Sequence, residues 1–407
     1  SNTSIDLDLS HGQLINRDHG LIATPGQLLL NNLGTVDNSQ GGEISSTQSF
    51  LLMADALNNR GGKVISGDSL QVRIAKALDN SVEGVLSAKS VLQVAADSLD
   101  NQAGGALASR GALDLKVTGV LDNHNQGQIF AATVLTTTSG SLNNSDKGSL
   151  SAGTLQTLNT GALDNHQGGR IVSDGSQTVT AANVDNRAGV IGSQQALNLT
   201  TANLDNTAGL INSQADLTLT GQTVDSSLDG EISAKGDLKL IVQQLIQRQG
   251  RLIGERAVSL DLQGGNLENS AGLISAKGPL TFARLANLTN REQGEISSQT
   301  AFTIAAKRID NGDRGVILSA DQLRLEADTV VNANKGLISG WNGLTVVGNG
   351  LDNSAEGTLS SKSGTLHTDL TGVLDNHAAG ALVSMGKQTL IAGSLNNDQG
   401  IISGQAD

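Results

Sequence analysis

One pattern recurs through the whole sequence with a period of about 21 residues, within the range that marks repeat architectures. An apolar residue is followed by Asp or Asn, then Asn, then a Gly a few places on, and then an apolar pair that ends in Ser. Taking the leading apolar residue as marker, 19 copies run from Ile15 through Val331 to Leu395, in 18 steps of 20 to 23. A Gly lies five or six places after every marker, and Asn stands two places after it in 15 of the 19 copies. In such an architecture each repeat is one supersecondary unit that must stack on its neighbours.

The copy beginning at Leu204 shows the internal logic. Leu210 and Ile211 form a short extended stretch, Leu217-Thr218-Leu219 a second with period-two alternation, and the approach to the next marker a third. Short apolar stretches separated by Gly, Asn, Asp and Ser read as strands joined by tight turns, and Gly and Asn suit the positive φ of sharp corners. No copy has room for a ten-residue amphipathic helix. Pro25 and Pro279 fall in turn segments, where a missing N–H is tolerated. The expected fold is therefore all-β, a parallel β-helix or β-solenoid of about 19 coils of about 21 residues.

Magnitudes explain why such a coil must stack. About five inward apolar side chains contribute ~1.5–3 kcal/mol apiece on burial. Ordering the backbone costs on the order of 1–2 kcal/mol per residue, so a lone coil cannot fold. At ~4.8 Å per coil the array predicts a rod about 90 Å long. Residues 1–407 are expected to form one such array, with irregular coils over 222–265, where the motif decays to Val224-Asp225-Ser226 and Leu245-Ile246-Gln247. Ile5–Leu9 resembles the closing strand of a preceding coil, and the last copy stops at Ile401-Ile402-Ser403. Neither stretch resembles a polar cap, so the array is expected to be truncated at both ends.

Composition fits narrow, layered packing. The chain has 50 Gly, 4 Phe, 1 Trp, no Tyr and no Cys, so its apolar content is Leu, Ile, Val and Ala. Absence of Cys excludes disulfides and thiolate metal sites. A formal charge of −13 argues against sequence-independent nucleic-acid binding, and no apolar run reaches the ~18–20 residues of a transmembrane helix.

Two files of polar residues stand out. The first comprises Asn38, Asn59, Asn80, Asn101, Asn123, Asn144, Asn165, Asn186, Asn206, Asn269, Asn290, Asn311, Asn353, Asn376 and Asn397. In-register amides can donate to one neighbour and accept from the other, forming a structural ladder; Asn tolerance of corner geometry is the simpler alternative. The second file, one place after the marker, holds Asp in 11 copies and Glu268 in one, and those 12 carboxylates account for nearly all of the net charge. Asn58, Asn143, Asn332 and Asn396 interrupt it. Corner carboxylates accepting backbone N–H bonds explain this file better than a calcium column, because the glycine-rich nonapeptide of calcium-binding β-rolls is missing.

His124, His166 and His377 each lie three places after a marker, and the first two are two coils apart, too far to share one metal ion. Trp341 sits in a turn. No catalytic, cofactor or metal site is expected.

Val36–Gly42 (VDNSQGG), Leu163–Gly175 (LDNHQGGRIVSDG) and Leu204–Thr220 (LDNTAGLINSQADLTLT) resemble the haemagglutinin repeats of filamentous haemagglutinin-type exoproteins. These are the large passengers of bacterial two-partner secretion, which include adhesins and contact-dependent growth inhibition effectors. The resemblance implies a right-handed parallel β-helix, export through an outer-membrane two-partner secretion transporter that reads a region outside this chain, and display on a Gram-negative cell surface. It implies a non-enzymatic filament that carries adhesive, receptor-binding or toxin regions, with a host or bacterial surface receptor as partner. Two other roles remain to be weighed: a direct receptor- or carbohydrate-binding module, and a polysaccharide lyase-type enzyme. The lyase needs long loops over a charged groove, for which steps this short and uniform leave little room.

Overall fold

The computed structural model describes residues 3–405, which fall into two compact units, Ser1–Thr201 and Ala202–Asp407. Every regular element among the described residues is a β-strand. Each unit is a parallel β-solenoid, and together they hold about 19 coils of roughly 21 residues.

In the first unit one sheet stacks four-residue strands such as Glu43–Ser46, Lys63–Ser66, Val85–Ala88 and Ala106–Ser109, paired residue for residue. Alternation decides what each strand buries: Ile44, Val64, Leu86 and Leu107 point inward and are fully buried, while Glu43, Ser45 and their equivalents face out. The other sheet is built from longer strands, including Phe50–Asn58, Ala112–Asp122, Val134–Asn143 and Leu155–Asp164, which run through a corner and end on the marker and the Asp or Asn that follows it. Three of its coils break at that corner, giving Ile5–Asp8 with Leu14–Ile15, Leu70–Ile74 with Ala77–Asp79, and Val91–Ala96 with Ser98–Asp100.

The second unit repeats this plan. The copy at Leu204 yields strands Leu210–Ser213, Leu217–Thr220 and Thr223–Asp225, the three stretches expected from its sequence. Coils over 222–265 keep the common register: Val224 stacks on Leu245 and Leu245 on Leu267, without a shift. Inward Ile232, Leu252, Ile274, Ile296 and Ile317 form a fully buried column.

Two markers need correction. Leu14 pairs with Val36 and Ile15 with Asp37, so Leu14 is the inward residue and Ile15 is exposed. Likewise Val330 stacks between Ile309 and Leu351, leaving Val331 in the acidic file. Both errors arise where two adjacent apolar residues compete for one inward position, and only stacking on the neighbouring coil decides between them.

The turn glycine also has a different reason from the one expected. Gly41, Gly104 and Gly168 do take positive φ. Most corners, however, place other residues in that region, such as Val82 and Glu83 at 54° and 62° or Asp146 and Lys147 at 48° and 64°. The Gly that follows is needed for close approach. A Cβ on Gly105 would lie 2.4 Å from Asn80 O and 2.8 Å from Asn101 Oδ1.

Candidate functional site

The Asn residues of the first unit stand in one buried column beside these glycines. Asn16 Nδ2 donates to Asn38 Oδ1, and the same bond links Asn38 to Asn59, Asn59 to Asn80, Asn80 to Asn101, Asn101 to Asn123, Asn123 to Asn144, Asn144 to Asn165 and Asn165 to Asn186, at 2.7–2.8 Å. Every donor points the same way along the chain. Each Nδ2 also reaches the carbonyl of its own turn glycine and that of a strand residue in the next coil, as Asn144 does with Gly148 and Arg170 at 3.1 Å. Such amides are fully used, which is what burial of a polar group requires.

In the second unit the column is interrupted. Asn206 Nδ2 donates to Ser226 Oγ at 3.0 Å. In the following coil Gln247 turns its Nε2 to Leu273 O at 3.2 Å, leaving Gln247 Oε1 and Asn269 Oδ1 buried with no hydrogen-bond partner. From Asn269 the bonds resume through Asn290, Asn311, Asn332, Asn353 and Asn376 to Asn397, at 2.6–2.8 Å. Sequence reading missed Asn16 and Asn332 because it placed the neighbouring marker one residue late. Asn332 belongs to the column and does not interrupt the acidic file. Choosing each marker so that Asn falls two places on would have found both.

Acidic-file residues close a turn on themselves. Asp79 Oδ1 accepts from Ser81 N at 3.0 Å and Ser81 Oγ at 2.6 Å, and Asp352 does the same with Ser354. His124 and His377 use the same geometry, with Nδ1 2.6 Å from Asp122 and Asp375, and His166 bonds Asp164 likewise.

Among the described residues one group brings metal-ligand types together: Asp164, His166 and Asp185, whose ligand atoms lie within 4.8 Å of one another. Sequence reading compared histidine with histidine and overlooked the carboxylate of the next coil. These atoms are already engaged. Arg187 forks onto both oxygens of Asp185 at 2.6–3.1 Å. Partial burial pushes the Asp185 carboxyl up, but the Arg187 guanidinium and backbone N–H outweigh it and hold the group below the usual carboxylate range. Hydrogen bonds from arginines depress other carboxyls in the second unit: Arg256 on Asp237, Arg284 on Asp261 and Arg291 on Asp313.

No helix of the described residues is long and apolar enough to cross a membrane. Comparison with curated proteins gives no match, and no solved structure matches either. The haemagglutinin repeat model matches residues 148–221, 172–242, 222–291, 263–339, 318–378 and 365–407. These matches together cover more than half of the sequence, and the coils before residue 148 carry the same column and turn. The chain belongs to the haemagglutinin repeat family.

Proposed function

We propose that this chain is a non-enzymatic structural segment of a filament in a large secreted bacterial exoprotein. It would space adhesive, receptor-binding or toxin regions away from a Gram-negative cell surface. The observation that carries this reading is the way each coil spends its polar groups on its neighbours: Asn amides on the next coil, corner carboxylates on their own turns. Repetition of one bonding scheme suits a scaffold, whose stability is a sum of neighbour interfaces. Export would use an outer-membrane transporter of the two-partner type, in keeping with haemagglutinin repeats.

The test is deletion of one whole coil at a time, for example residues 121–141 or 309–329. A scaffold tolerates each deletion with cooperative unfolding retained, and the purified chain releases no sugar ends from a panel of polysaccharides. Depolymerising activity that one deletion abolishes would overturn the proposal. A groove in the first unit favours an added role as a binding module.

A further inference from the structure

The groove lies at the corner of the longer-stranded sheet in the first unit, across six successive coils from His11 to Thr118, and encloses ≈ 560 Å³. It opens where the strand breaks after Ile74 and after Ala96. Its floor is Leu33, Ala54, Ile74 and Ala96, all small or branched apolar side chains. One wall stacks Met53, Arg73, Ala95 and Lys116 in successive coils. On the opposite wall Lys76 lies 4.0 Å from Asp55, and Asp97 keeps its charge while accepting from the neutral Thr118 Oγ1 at 2.7 Å. Arg73 and Lys116 are different. Arg73 donates to the neutral Gln71, and among the described residues no ion pair engages either cation. In a chain of net charge −13, two cations outside any ion pair, set beside an apolar floor and across from Asp55 and Asp97, are a feature to explain.

We propose that this groove binds an extended acidic peptide in the polyproline II conformation. Its acidic side chains, three residues apart, meet Arg73 and Lys116, the small apolar side chains between them lie on Ile74 and Ala96, and those preceding them lie on Ala54. Spacing supports the match. Arg73 and Lys116 are two coils apart, roughly 9.6 Å at the usual strand separation, and three residues of polyproline II advance about 9.3 Å. A β-strand repeats on one face every ~6.8 Å and misses that interval. Strands at this corner are also paired on both sides, so there is no edge for strand addition, whereas a polyproline II backbone needs none. Half-exposed Met53 can adapt its unbranched side chain to the ligand. No lining residue is Phe, Tyr or Trp, which disfavours a sugar chain that needs a broad stacking platform.

The experiment is fluorescence anisotropy on the full chain with a labelled nine-residue probe, Glu-Pro-Ala repeated three times, which spans about 28 Å. A Gln-Pro-Ala probe and dextran sulfate serve as comparisons. The expected result is binding of the Glu probe, weakened about fivefold by Arg73→Ala or Lys116→Ala, about tenfold or more by both together, and little by Arg110→Ala. Met53→Glu, which keeps both cations, should weaken it by repulsion, and it decides the matter if the double variant melts early. Equal affinity for the Gln probe would overturn the proposal. So would binding of dextran sulfate alone, or Glu-probe binding that a natively melting double variant leaves unchanged.

Discussion

Asn16 to Asn165 in the first unit and Asn206 to Asn269 in the second show one architectural position handled in two ways. The first stretch passes an amide hydrogen bond through every coil. The second breaks after Ser226 and leaves two buried acceptors at Gln247 and Asn269. Strand register survives the break, with Val224, Leu245 and Leu267 still stacked. The column is therefore not what aligns the strands. Backbone pairing and the inward apolar residues do that, and the column satisfies the polar groups that the tight turn buries.

The two stretches also differ in their cores, in the opposite sense. Near the broken column the corner is filled by buried Val242, Leu262 and Leu285. Near the intact column the core admits Thr137, Gln156 and Gln177, with Gln177 Nε2 donating to Gln156 Oε1 at 2.8 Å while Gln156 Nε2, Gln177 Oε1 and Thr137 Oγ1 have no partner. Each region departs from ideal packing at one file and keeps the other sound.

The largest effect that would sharpen this contrast is Asn144→Asp. It removes the donor to Asn165, Gly148 and Arg170 and buries a carboxylate between amides. The expected loss is about 3–5 kcal/mol in thermal or denaturant unfolding, against less than about 0.5 for Ser363→Asp in an exposed turn. Equal melting of the two variants would remove the stabilising role proposed for the column.

Repair of the first unit's core comes next. Gln156→Leu with Gln177→Leu exchanges two half-satisfied amides for apolar side chains of similar length, and unfolding should become harder by about 2–3 kcal/mol. A destabilised double variant would mean that these amides are better satisfied in solution than the geometry shows.

Smaller still is repair of the column itself. Gln247→Asn should present an Nδ2 to Asn269 Oδ1 and add about 1–2 kcal/mol. Hydrogen exchange at Asn269 and Gly272 reports whether the gain is local. Faster exchange there would show that Gln247 already suits its coil.

The smallest effect is electrostatic and belongs to the second unit. Arg256, Arg284 and Arg291 hold Asp237, Asp261 and Asp313 below the ordinary carboxylate range. A depressed folded-state value gives stability that is complete above the unfolded value, about 3.9, and is lost as pH falls through the folded one. Melting temperature should therefore fall modestly below about pH 4, and Arg→Gln at all three positions should flatten that decline by slightly lowering the plateau near pH 7. An unchanged slope would show that these exposed pairs contribute nothing.

Much of the candidate site could be read along the chain because it repeats. Position two after each marker and the Gly after it recur often enough to define a column before any coordinates. The misses lie where the repeat is ambiguous or where two coils must be seen together. At Leu14-Ile15 and Val330-Val331 two adjacent apolar residues fit the inward position equally well in sequence. The His166 and Asp185 neighbours come from successive coils, and the cations of the groove come from coils two apart.

By itself, then, the sequence determined the coil: its length, its strands and turns, the inward apolar files and the acidic corner. These follow from period-two alternation and turn chemistry, which act within a few residues. Only the tertiary structure decided which residue faces in where two compete, where the amide chain breaks, why the turn must be Gly and where Arg73 and Lys116 stand outside any ion pair among the described residues. All of these are set by contacts with residues one coil away, about 21 positions along the chain, and no local pattern carries that information.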